Sequence, residues 1–427
     1  MTVTAINHTQ QRLDISVNQW GNDGSTGDYS VQPEGTESWD RSDSRGFVMH
    51  VNDGSEDYAY FVSANSVVTF AGRAGSIIAQ DHGIPLKPMI ETDTSLSANW
   101  MTLYAPQLQD KTFSLITLPG SHDAGMSKVL GQAANVSAQG PYTQTQKYDI
   151  YSQIVAGGAR VLDLRPVYYK AIAGSSAPTG YSMAHYTIKE FNTWWGLIGE
   201  SLDDVCTDIK DALATLGSKE VLVLTLSHGS HLTDGGAASS LGADDQKKII
   251  EKLLACCGDH LYKLDNSLAF NLMELTPKQF LESRSAATVL VVAADGSFDQ
   301  SGKTQADGLF KSTAFDLSSS WSGSNRKNAQ EFYSETKKFL ADYEKSIPVE
   351  LSWHISWNVG QSGNLKEYAK EINPHLGSKL SEWKADGTLN SSNRPAAIGW
   401  DFVKPYTQEM TDGPLKACLV YNALISQ

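Results

Sequence analysis

The sequence is short of cysteines, of long apolar runs and of basic charge, and each shortage excludes a class of protein. Its four cysteines show no Cys-x-x-Cys spacing, which argues against a zinc cage or a thioredoxin-type motif and favours free thiols. No uninterrupted apolar stretch approaches the ~20 residues that cross a bilayer. The formal net charge of −14 makes the chain a poor partner for nucleic acid, because phosphate contacts need clustered lysine and arginine.

The rest of the composition is that of an ordinary globular protein, with 41% hydrophobic and 19% charged residues. The first residues, MTVTAINHTQ, lack both the basic start and the apolar core of a secretory signal. We therefore expect either a cytoplasmic protein or a secreted one whose signal is missing from this sequence. Because the chain has no polybasic stretch, peripheral contact with a membrane would have to use apolar and aromatic side chains.

Residues 1–92 have the pattern of a small all-β domain. Short β-rich runs such as RLDISVNQW, GFVMHV and YAYFVSA are separated by turn-forming clusters such as GNDGSTGD. The spacing predicts an antiparallel sandwich, followed by a linker near HGIPLKPMIETDTS. We find no acid–base set in this region. A module that targets a membrane or a ligand and a purely structural domain both remain open.

Residues 96–427 alternate between strand-like and helix-like segments, which is typical of a parallel sheet covered by helices. The alternation predicts an irregular (β/α)8 barrel of the TIM type. Helices are expected at SLDDVCTDIKDAL, DDQKKIIEKLLACC and AQEFYSETKKFLADYEK. Strands are expected at SLITLPG, RVLDLRPVY, YSMAHY, EVLVLTLSH, ATVLVVAAD, ELSWHISW and AAIGWDFV.

Several of these strands end in residues capable of acid–base chemistry. SLITLPG is followed by His122 and Asp123. In GARVLDLRP the leucines alternate with Asp163 and Arg165, so these charged side chains should point into the barrel while the leucines pack against helices. A charge aimed into a core is costly unless it is paired or functional. Asp163 is accordingly either a substrate-binding residue or a structural partner of Arg165.

Two later strands complete the set, because YSMAHY brings His185 and AAIGWDFV brings Asp401. Each residue alone is weak evidence, since a strand-end histidine is more often structural than catalytic. Together they suit cleavage of a phosphate ester. One imidazole takes a proton and the other gives one, a carboxylate orients each ring, and a guanidinium binds phosphate oxygens.

The stretches LPGSHDAGM, GARVLDLRP and MAHY resemble the catalytic X region of bacterial-type phosphatidylinositol-specific phospholipase C. That family has a strand ending in Gly-Ser/Thr-His-Asp, then Asp-x-Arg, then a second histidine. The resemblance follows residues 96–427 in strand order and is specific over about 70 residues around the motifs. It implies an irregular (β/α)8 barrel that cleaves phosphatidylinositol at a membrane surface and releases diacylglycerol.

The resemblance also implies a role for each motif residue. His122 would be the general base for the inositol 2-hydroxyl, with Asp401 as its orienting partner. Arg165 would hold the phosphate. His185, steadied by Asp123, would protonate the diacylglycerol oxygen. The product would be inositol 1,2-cyclic phosphate, because the attacking oxygen belongs to the substrate itself.

Calcium-using relatives surround the phosphate with carboxylates and an asparagine. Here Asp123 takes the asparagine's place, and Asp163-Leu164-Arg165 stands where those relatives have Glu-x-Asp. We therefore predict that Arg165 replaces the cation and that the reaction needs no calcium, no other metal and no cofactor.

The headgroup positions depart from the family pattern. Bacterial relatives recognise inositol with a lysine after the fourth strand and an arginine further on. Those places read LTLSHGSH and VVAADGS, so Ser227 or His228 replaces the lysine and Ala293, Ala294 or Asp295 replaces the arginine. His228 is a candidate to bind the headgroup, and a solvated polar loop is equally open.

These departures concern the headgroup of the substrate and not the chemistry at phosphorus. A different phospholipid headgroup, or a glycosyl-phosphatidylinositol anchor, is the alternative substrate. A membrane- or glycan-binding protein without activity is the alternative of another class. Such a protein would have no need for His122, His185 and Arg165 together.

The motif EFNTWWGLIGE places Trp194 and Trp195 after the His185 strand, in a predicted loop on the catalytic rim. Tryptophan suits a membrane interface, where one part of the ring is apolar and another is wet. One of the two could instead pack beneath the loop. We expect at least one to be exposed and to contact the phospholipid surface.

Overall fold

In the computed structural model, the chain divides into two compact units, and the described residues up to 96 belong to the first while those in 97–403 and 414–422 belong to the second. The described residues are 2–9, 12–19, 25–33, 35–40, 47–52, 57–62, 67–72, 78–81, 84–86, 89–90, 93–132, 143–171, 178–189, 192–265, 268–282, 284–319, 328–343, 347–355, 364–403 and 414–422.

Among the described residues up to 90, the first unit contains strands and no helix. Its strands are β1 (Thr2–Thr9), β2 (Leu13–Gln19), β3 (Ser25–Val31), β4 (Thr36–Asp40), β5 (Phe47–Asn52), β6 (Asp57–Val62), β7 (Val67–Gly72), β8 (Ile78–Asp81), β9 (Ile84–Leu86) and β10 (Met89–Ile90). They form two five-stranded sheets, in the orders β4-β1-β7-β8-β9 and β10-β6-β5-β2-β3. Every neighbouring pair is antiparallel except β1 with β7. The packing of the two sheets as a sandwich stays a prediction.

Two segments of this unit differ from the sequence-based expectation. Residues from the predicted turn GNDGSTGD enter β3, and the predicted linker contains β9 and β10. Both short strands lie at the edges of their sheets. Proline lacks a backbone N–H to donate, so an edge position is where a strand such as β9, with Pro85, can be accommodated.

The second unit contains the other strands. They are β11 (Leu118–Ser121), β12 (Gly131–Gln132), β13 (Val161–Leu164), β14 (Pro166–Lys170), β15 (Gly180–Ile188), β16 (Trp194–Ser201), β17 (Val221–Leu226), β18 (Ser230–Thr233), β19 (Ala238–Ser240), β20 (Thr288–Ala293), β21 (Leu309–Lys311), β22 (Ser318–Ser319), β23 (Val349–Trp353) and β24 (Pro395–Trp400). Eight of them form one parallel sheet in the order β21-β20-β17-β13-β11-β24-β23-β22.

The order of the parallel sheet is consistent with an α/β barrel. Its first strand, β11, pairs with both the second, β13, and the last, β24. Chain order therefore runs around the sheet, which ends at β21 on one side and β22 on the other. The apolar runs of β17 and β20, VLVLTL and TVLVVA, are typical of parallel strands that are covered on both faces.

A separate six-stranded sheet, β12-β16-β15-β14-β18-β19, is antiparallel except between β14 and β18. It corrects one sequence-based expectation, because YSMAHY lies in β15 of this sheet and is not a strand of the barrel-like sheet. β14 begins one residue after Arg165, so the chain passes from the parallel sheet into the second sheet at the site itself.

The helices are α1 (Asp93–Leu103), α2 (Ala105–Leu108), α3 (Ile150–Val155), α4 (Leu202–Thr215), α5 (Ala243–Cys257), α6 (Pro277–Phe280), α7 (Ala329–Ala341), α8 (Leu365–Ile372), α9 (Leu376–Ala385) and α10 (Pro414–Tyr421). Short 3-10 helices lie at Phe113–Leu115, Gly258–His260, Leu272–Glu274, Gly296–Phe298, Ser312–Phe315 and Asn373–His375. In α4, Ser201 caps the first turn by accepting from the Asp204 amide, and its apolar residues bury one face.

The leucines of β13 pack outward, as the alternation in GARVLDLRP predicts. Leu162 and Leu164 are fully buried in a cluster with Ile209 of α4 and Leu253 of α5. A second cluster surrounds Trp353 and the helices α7 to α10. In the part of the chain that the structure describes, no helix is long and apolar enough to span a membrane. All four cysteines are free thiols, as expected.

A buried ion pair lies where β13 and β17 begin. Arg160 and Glu220, both fully buried, are joined by hydrogen bonds of 2.9 Å from Nε and 2.6 Å from Nη2 to Glu220 Oε2. The other guanidinium hydrogens are donated to backbone carbonyls of Ile154, Ala159, Ser97 and Ala98. A buried charge is tolerated when its hydrogen-bonding capacity is met in this way.

Candidate active site

Three neighbouring strands bring acid–base residues to one edge of the parallel sheet. His122, Arg165 and Asp401 come directly after β11, β13 and β24, which lie side by side. The backbone links continue past the strands, since the His122 amide donates to the Trp400 carbonyl over 3.1 Å. Because parallel strands end at the same edge, residues that are distant in sequence converge there.

His122 is held at both of its ring nitrogens. Nδ1 lies 2.8 Å from Oδ1 of the buried Asp401 carboxylate, and Nε2 lies 3.0 Å from Nη2 of Arg165. An ionised carboxylate can only accept, so Nδ1 carries the proton. Nε2 is then unprotonated and accepts from Arg165, the protonation state that a general base needs.

A glutamine that the sequence analysis did not single out braces this arrangement. Gln146 Nε2 donates to the backbone carbonyls of His122 (2.8 Å) and Trp400 (3.2 Å), and its Oε1 accepts from the Val403 amide (2.9 Å). Gln146 therefore ties the loop after β11 to the end of β24. Gln146 is one of several polar residues in the loop segment QTQKYD, and no periodic pattern in this segment distinguishes it from its neighbours.

Arg165 is the centre of the charged cluster. Its Nη2 lies 2.8 Å from Asp163 Oδ2, and its Nε lies 2.8 Å from Asp123 Oδ1. Asp123 is fully buried and adopts a positive φ of 43°, which turns the chain sharply after His122. Asp163 thus lies beside Arg165 as a charge partner, and its contact with substrate stays a prediction.

His185 lies next to the same group of charges but is oriented differently. Its Nδ1 lies 2.8 Å from the Thr143 carbonyl, which can only accept, so this nitrogen carries the proton. Nε2 faces Asp123, 3.5 Å from Oδ2. The His122 and His185 rings lie 5.9 Å apart between centroids, with Arg165 hydrogen-bonded to the first and joined through Asp123 to the second.

The buried cluster shifts the pKa of every member. Burial lowers the pKa of both His122 and His185 to about 4, with Arg165 adding to the effect. Burial raises the pKa of Asp123 and of Asp401 to about 6, against the opposing charge of Arg165. Burial also opposes ionisation of Asp163, but Arg165 outweighs it and holds that pKa well below its usual range. Both imidazoles are therefore neutral near pH 7 in the free protein.

The residues predicted to read the headgroup form a polar group beside this cluster. His228 Nδ1 lies 2.8 Å from Ser227 Oγ, and Ser227 Oγ donates to Asp163 Oδ1 over 3.3 Å. His228 has a positive φ of 56°, and its amide donates to Asp295 Oδ2 over 2.7 Å. A carboxylate therefore lies at the strand end where bacterial relatives are expected to have an arginine.

The two adjacent tryptophans have different environments. Trp194 is buried, and its Nε1 donates to the Thr233 carbonyl over 2.8 Å, so it is part of the core. Trp195 is 39% exposed and Ile188 is 48% exposed. Both tryptophans belong to β16 and not to the predicted loop. They alternate across the strand, which sends one ring inward and the other outward.

β23 contributes two polar residues that the sequence analysis did not single out. Glu350 and His354 alternate with Leu351, Trp353 and Ile355, which pack in the second hydrophobic cluster. The His354 ring lies flat against His122, with centroids 3.9 Å apart and planes within 4°. The period-2 alternation in VELSWHISW is the same signal that revealed Asp163 and Arg165, so the sequence contained it.

Glu350 lies inside the sheet near the charged cluster. A Cβ added at Gly399 of β24 would lie 3.1 Å from Glu350 Oε1. The absence of a side chain at this one position therefore leaves room for the Glu350 carboxyl group. Burial raises the pKa of Glu350 to about 7, with Asp163 adding to the effect and Arg165 opposing it.

No group of three or more histidine, cysteine, aspartate or glutamate side chains is arranged to hold a metal ion among the residues that the structure describes. Asp123 and Asp163 are directed at Arg165, through contacts of 2.8 Å, and Asp401 is directed at His122. The expectation of calcium-independent chemistry stays a prediction.

No family model matches the chain, and no curated protein matches its sequence. Among solved structures, the chain is similar to phosphatidylinositol-specific phospholipase C from Listeria monocytogenes, with 13% identity and a TM-score of 0.49 over 76% of this chain and 98% of that chain. It is also similar to a pentafluoro-Phe-substituted phosphatidylinositol-specific phospholipase C from Staphylococcus aureus, with 15% identity and a TM-score of 0.49 over 78% and 99%. The chain is thus similar in structure to members of the family that its motifs resemble.

Proposed function

We propose that the chain is a phospholipase C-type phosphodiesterase that cleaves phosphatidylinositol by general acid–base chemistry. The observation that carries the proposal is the pair of buried imidazoles, 5.9 Å apart, linked through Arg165 and Asp123. One ring has an unprotonated Nε2 that accepts from a guanidinium, and the other directs its Nε2 at a carboxyl group. A structural role for either histidine would not require both to lie beside one arginine.

In the proposed first step, His122 Nε2 takes the proton of the inositol 2-hydroxyl. The imidazolium keeps its Nδ1 hydrogen bond to Asp401, whose negative charge stabilises it. Arg165, whose Nη2 now donates to Nε2, turns this donor to the phosphate oxygens. The 2-oxygen bonds to phosphorus without a positioned water, which gives the reaction the advantage of an intramolecular step.

The bond between phosphorus and the diacylglycerol oxygen then breaks, and His185 protonates the leaving oxygen. This gives diacylglycerol and inositol 1,2-cyclic phosphate, which water reopens slowly. His185 is neutral near pH 7 in the free protein because burial lowers its pKa to about 4. The negative phosphate raises that pKa on binding, so substrate and acid proton enter the site together.

We expect kcat/KM for phosphatidylinositol to fall as pH rises through about 6. The pKa of Asp123 is raised by burial to about 6, and His185 Nε2 lies 3.5 Å from its Oδ2, so we expect the pair to titrate together and to lose its acid form above that pH. In Asp123→Asn the carboxyl no longer titrates, and the fall should move toward pH 4, where His185 alone loses its proton. Initial rates at low substrate from pH 4 to 8 measure this, and an unmoved alkaline limb in Asp123→Asn would contradict the assignment.

We propose that this chemistry needs no calcium, because Arg165 supplies the positive charge that a cation would place beside the phosphate. The polar group at Ser227, His228 and Asp295 favours one variation, a headgroup other than unsubstituted inositol. A different phospholipid or a glycosyl-phosphatidylinositol anchor would keep the same chemistry at phosphorus.

Cleavage of phosphatidylinositol vesicles in excess EDTA, followed by phosphorus NMR of the water-soluble product, tests the proposal. A cyclic phosphate formed without metal is the expected result. If only another phospholipid is cleaved, the proposed acid–base mechanism is retained and inositol is rejected as the headgroup. Turnover only with added calcium would reject the role of Arg165, and no turnover of any phosphodiester would reject the function.

Peripheral membrane binding is part of the proposal, for a protein that is either secreted or cytoplasmic. Exposed Trp195 and Ile188 lie on the β15–β16 hairpin that also carries His185. Trp195 pairs with Thr187, two residues beyond His185, so its ring lies about 7 Å further along the hairpin. A bilayer that receives these side chains would meet the rim of the site.

Trp195→Ala should weaken binding to phosphatidylinositol-containing vesicles by roughly fivefold, which corresponds to about 1 kcal/mol of lost apolar burial. A vesicle sedimentation assay measures this effect. Leu268→Ala is the matched control, because Leu268 is 52% exposed and lies between α5 and β20. Equal losses in both variants would show that Trp195 has no special part in binding.

We further propose that the parallel sheet closes as an irregular (β/α)8 barrel over the predicted range 96–427, and that residues 1–92 pack as a sandwich. The pairing of β11 with β24 supports the first statement. Buried Ala5 of one sheet and buried Ile15 and Val51 of the other support the second. Liposome binding by a chain that lacks these first residues, compared with the full chain, tests whether they target the membrane.

A further inference from the structure

The His354 ring makes the closest face contact in the site. It follows β23 directly, is buried, and lies 3.9 Å from the His122 ring with planes within 4°. That separation is van der Waals contact between two flat rings. The motif analysis gave His354 no role, and the proposed acid–base steps do not use it.

The hydrogen bonds of His122 hold its ring least firmly against one motion. They act at Nδ1 and Nε2, and both lie in the ring plane. A small rotation of the ring about its Cβ–Cγ bond moves both nitrogens perpendicular to that plane, so it changes the two distances little but tilts the lone pair of Nε2. A flat group pressed against one face resists this rotation, and His354 provides that group.

We infer that His354 is a positioning residue that holds the plane of His122 and so aims Nε2 at the attacking hydroxyl. The inference rests on the proposed function, because it takes His122 as the general base. Small errors in the direction of a reacting group cost large factors in rate. His354 would therefore affect kcat more than KM.

The charged and titratable groups around His122 come from several elements. Any change in its titration must be read against all of them, namely Asp401 after β24, Arg165 and Asp163 of the β13 segment, Asp123 in its own loop and His185 of β15. His354 is also one of the titratable groups of the site and lowers the pKa of Asp401, so His354→Phe keeps a flat ring but removes this influence.

Three variants distinguish the contributions of the His354 side chain that come from its flat shape, from its nitrogens and from its volume. His354→Ala removes the contact, His354→Leu fills the space without a flat face, and His354→Phe keeps a flat face without nitrogens. We expect kcat to fall by about 10- to 100-fold in the Ala and Leu variants with KM changed little, and His354→Phe to recover most of the loss. Equal losses in the Phe and Ala variants would overturn the inference.

A measurement without substrate separates this inference from the proposed function. The Nδ1 proton of His122, hydrogen-bonded to Asp401, should give a protected downfield NMR signal. It should broaden in His354→Ala and His354→Leu and persist in His354→Phe and in the control His375→Ala, whose histidine is exposed. If the signal is unchanged in all variants, the inference fails. If it behaves as expected while no phosphodiester is cleaved, the proposed function fails and the positioning role stands.

If His354→Ala does not fold, as judged by circular dichroism, the comparison of His354→Leu with His354→Phe still decides the question. Both fill the space, so a difference between them in the NMR signal and in kcat isolates the flat face. Identical behaviour of the two would overturn the inference.

Discussion

His122→Ala is expected to lower kcat/KM for phosphatidylinositol by about 10³-fold or more while the fold is retained. Alanine removes the Nε2 that takes the hydroxyl proton in the proposed step, together with the ring that Asp401 orients. His185→Ala should cause a loss of similar size, because the leaving oxygen then departs without a proton. Steady-state rates on vesicles in EDTA measure both.

The double variant sharpens this prediction. Base and acid act in one reaction, so losing both should cost little more than losing either, as is usual for residues that act as a unit. His375→Ala is the control, because that histidine is exposed at the start of α9. Activity near the wild-type level in His122→Ala, with His375→Ala also active, would contradict the assigned role.

Arg165→Lys should lower kcat/KM by about 10²- to 10³-fold although it keeps the positive charge. Lysine can offer a point charge to one oxygen, whereas the guanidinium presents a planar fork. Arg165 also spans Asp163 and Asp123, which a shorter-reaching ammonium would not join in the same geometry. The measurement is the same vesicle assay, repeated with added calcium.

The matched control is Arg284→Lys, since Arg284 donates to the Leu261 carbonyl near the 3-10 helix Gly258–His260 and away from the charged cluster. Full activity of both variants would show that Arg165 does not bind the phosphate. Rescue of Arg165→Lys by calcium alone would show that a cation can take the position of the guanidinium.

Much of the site could be predicted because the charges interrupt regular strand patterns. The leucines of GARVLDLRP identify the outward face of β13. Asp163 and Arg165 alternate with them and are therefore predicted to point inward. The histidine and aspartate after SLITLPG stand out for a similar reason. These are local patterns of period two, and they can be recognised without knowledge of tertiary contacts.

Other features depend on contacts that no local pattern contains. The strand of His185 has the composition of a barrel strand, but its partners β14 and β16 place it in the antiparallel sheet. Gln146 acts through backbone atoms on two distant loops. The burial of Trp194 beside an exposed Trp195 required knowing that both lie in a strand.

β13 has an arginine at each end, and the two have opposite consequences. Arg160 makes its hydrogen bonds where the strand begins, and Arg165 joins the charged cluster where it ends, about 16 Å away. Substitutions so far apart affect stability independently. In the proposed enzyme, a substitution that abolishes the reaction at Arg165 would therefore leave the Arg160–Glu220 pair at the other end intact. Retention of that pair, and of the fold around it, would be no evidence of a working enzyme.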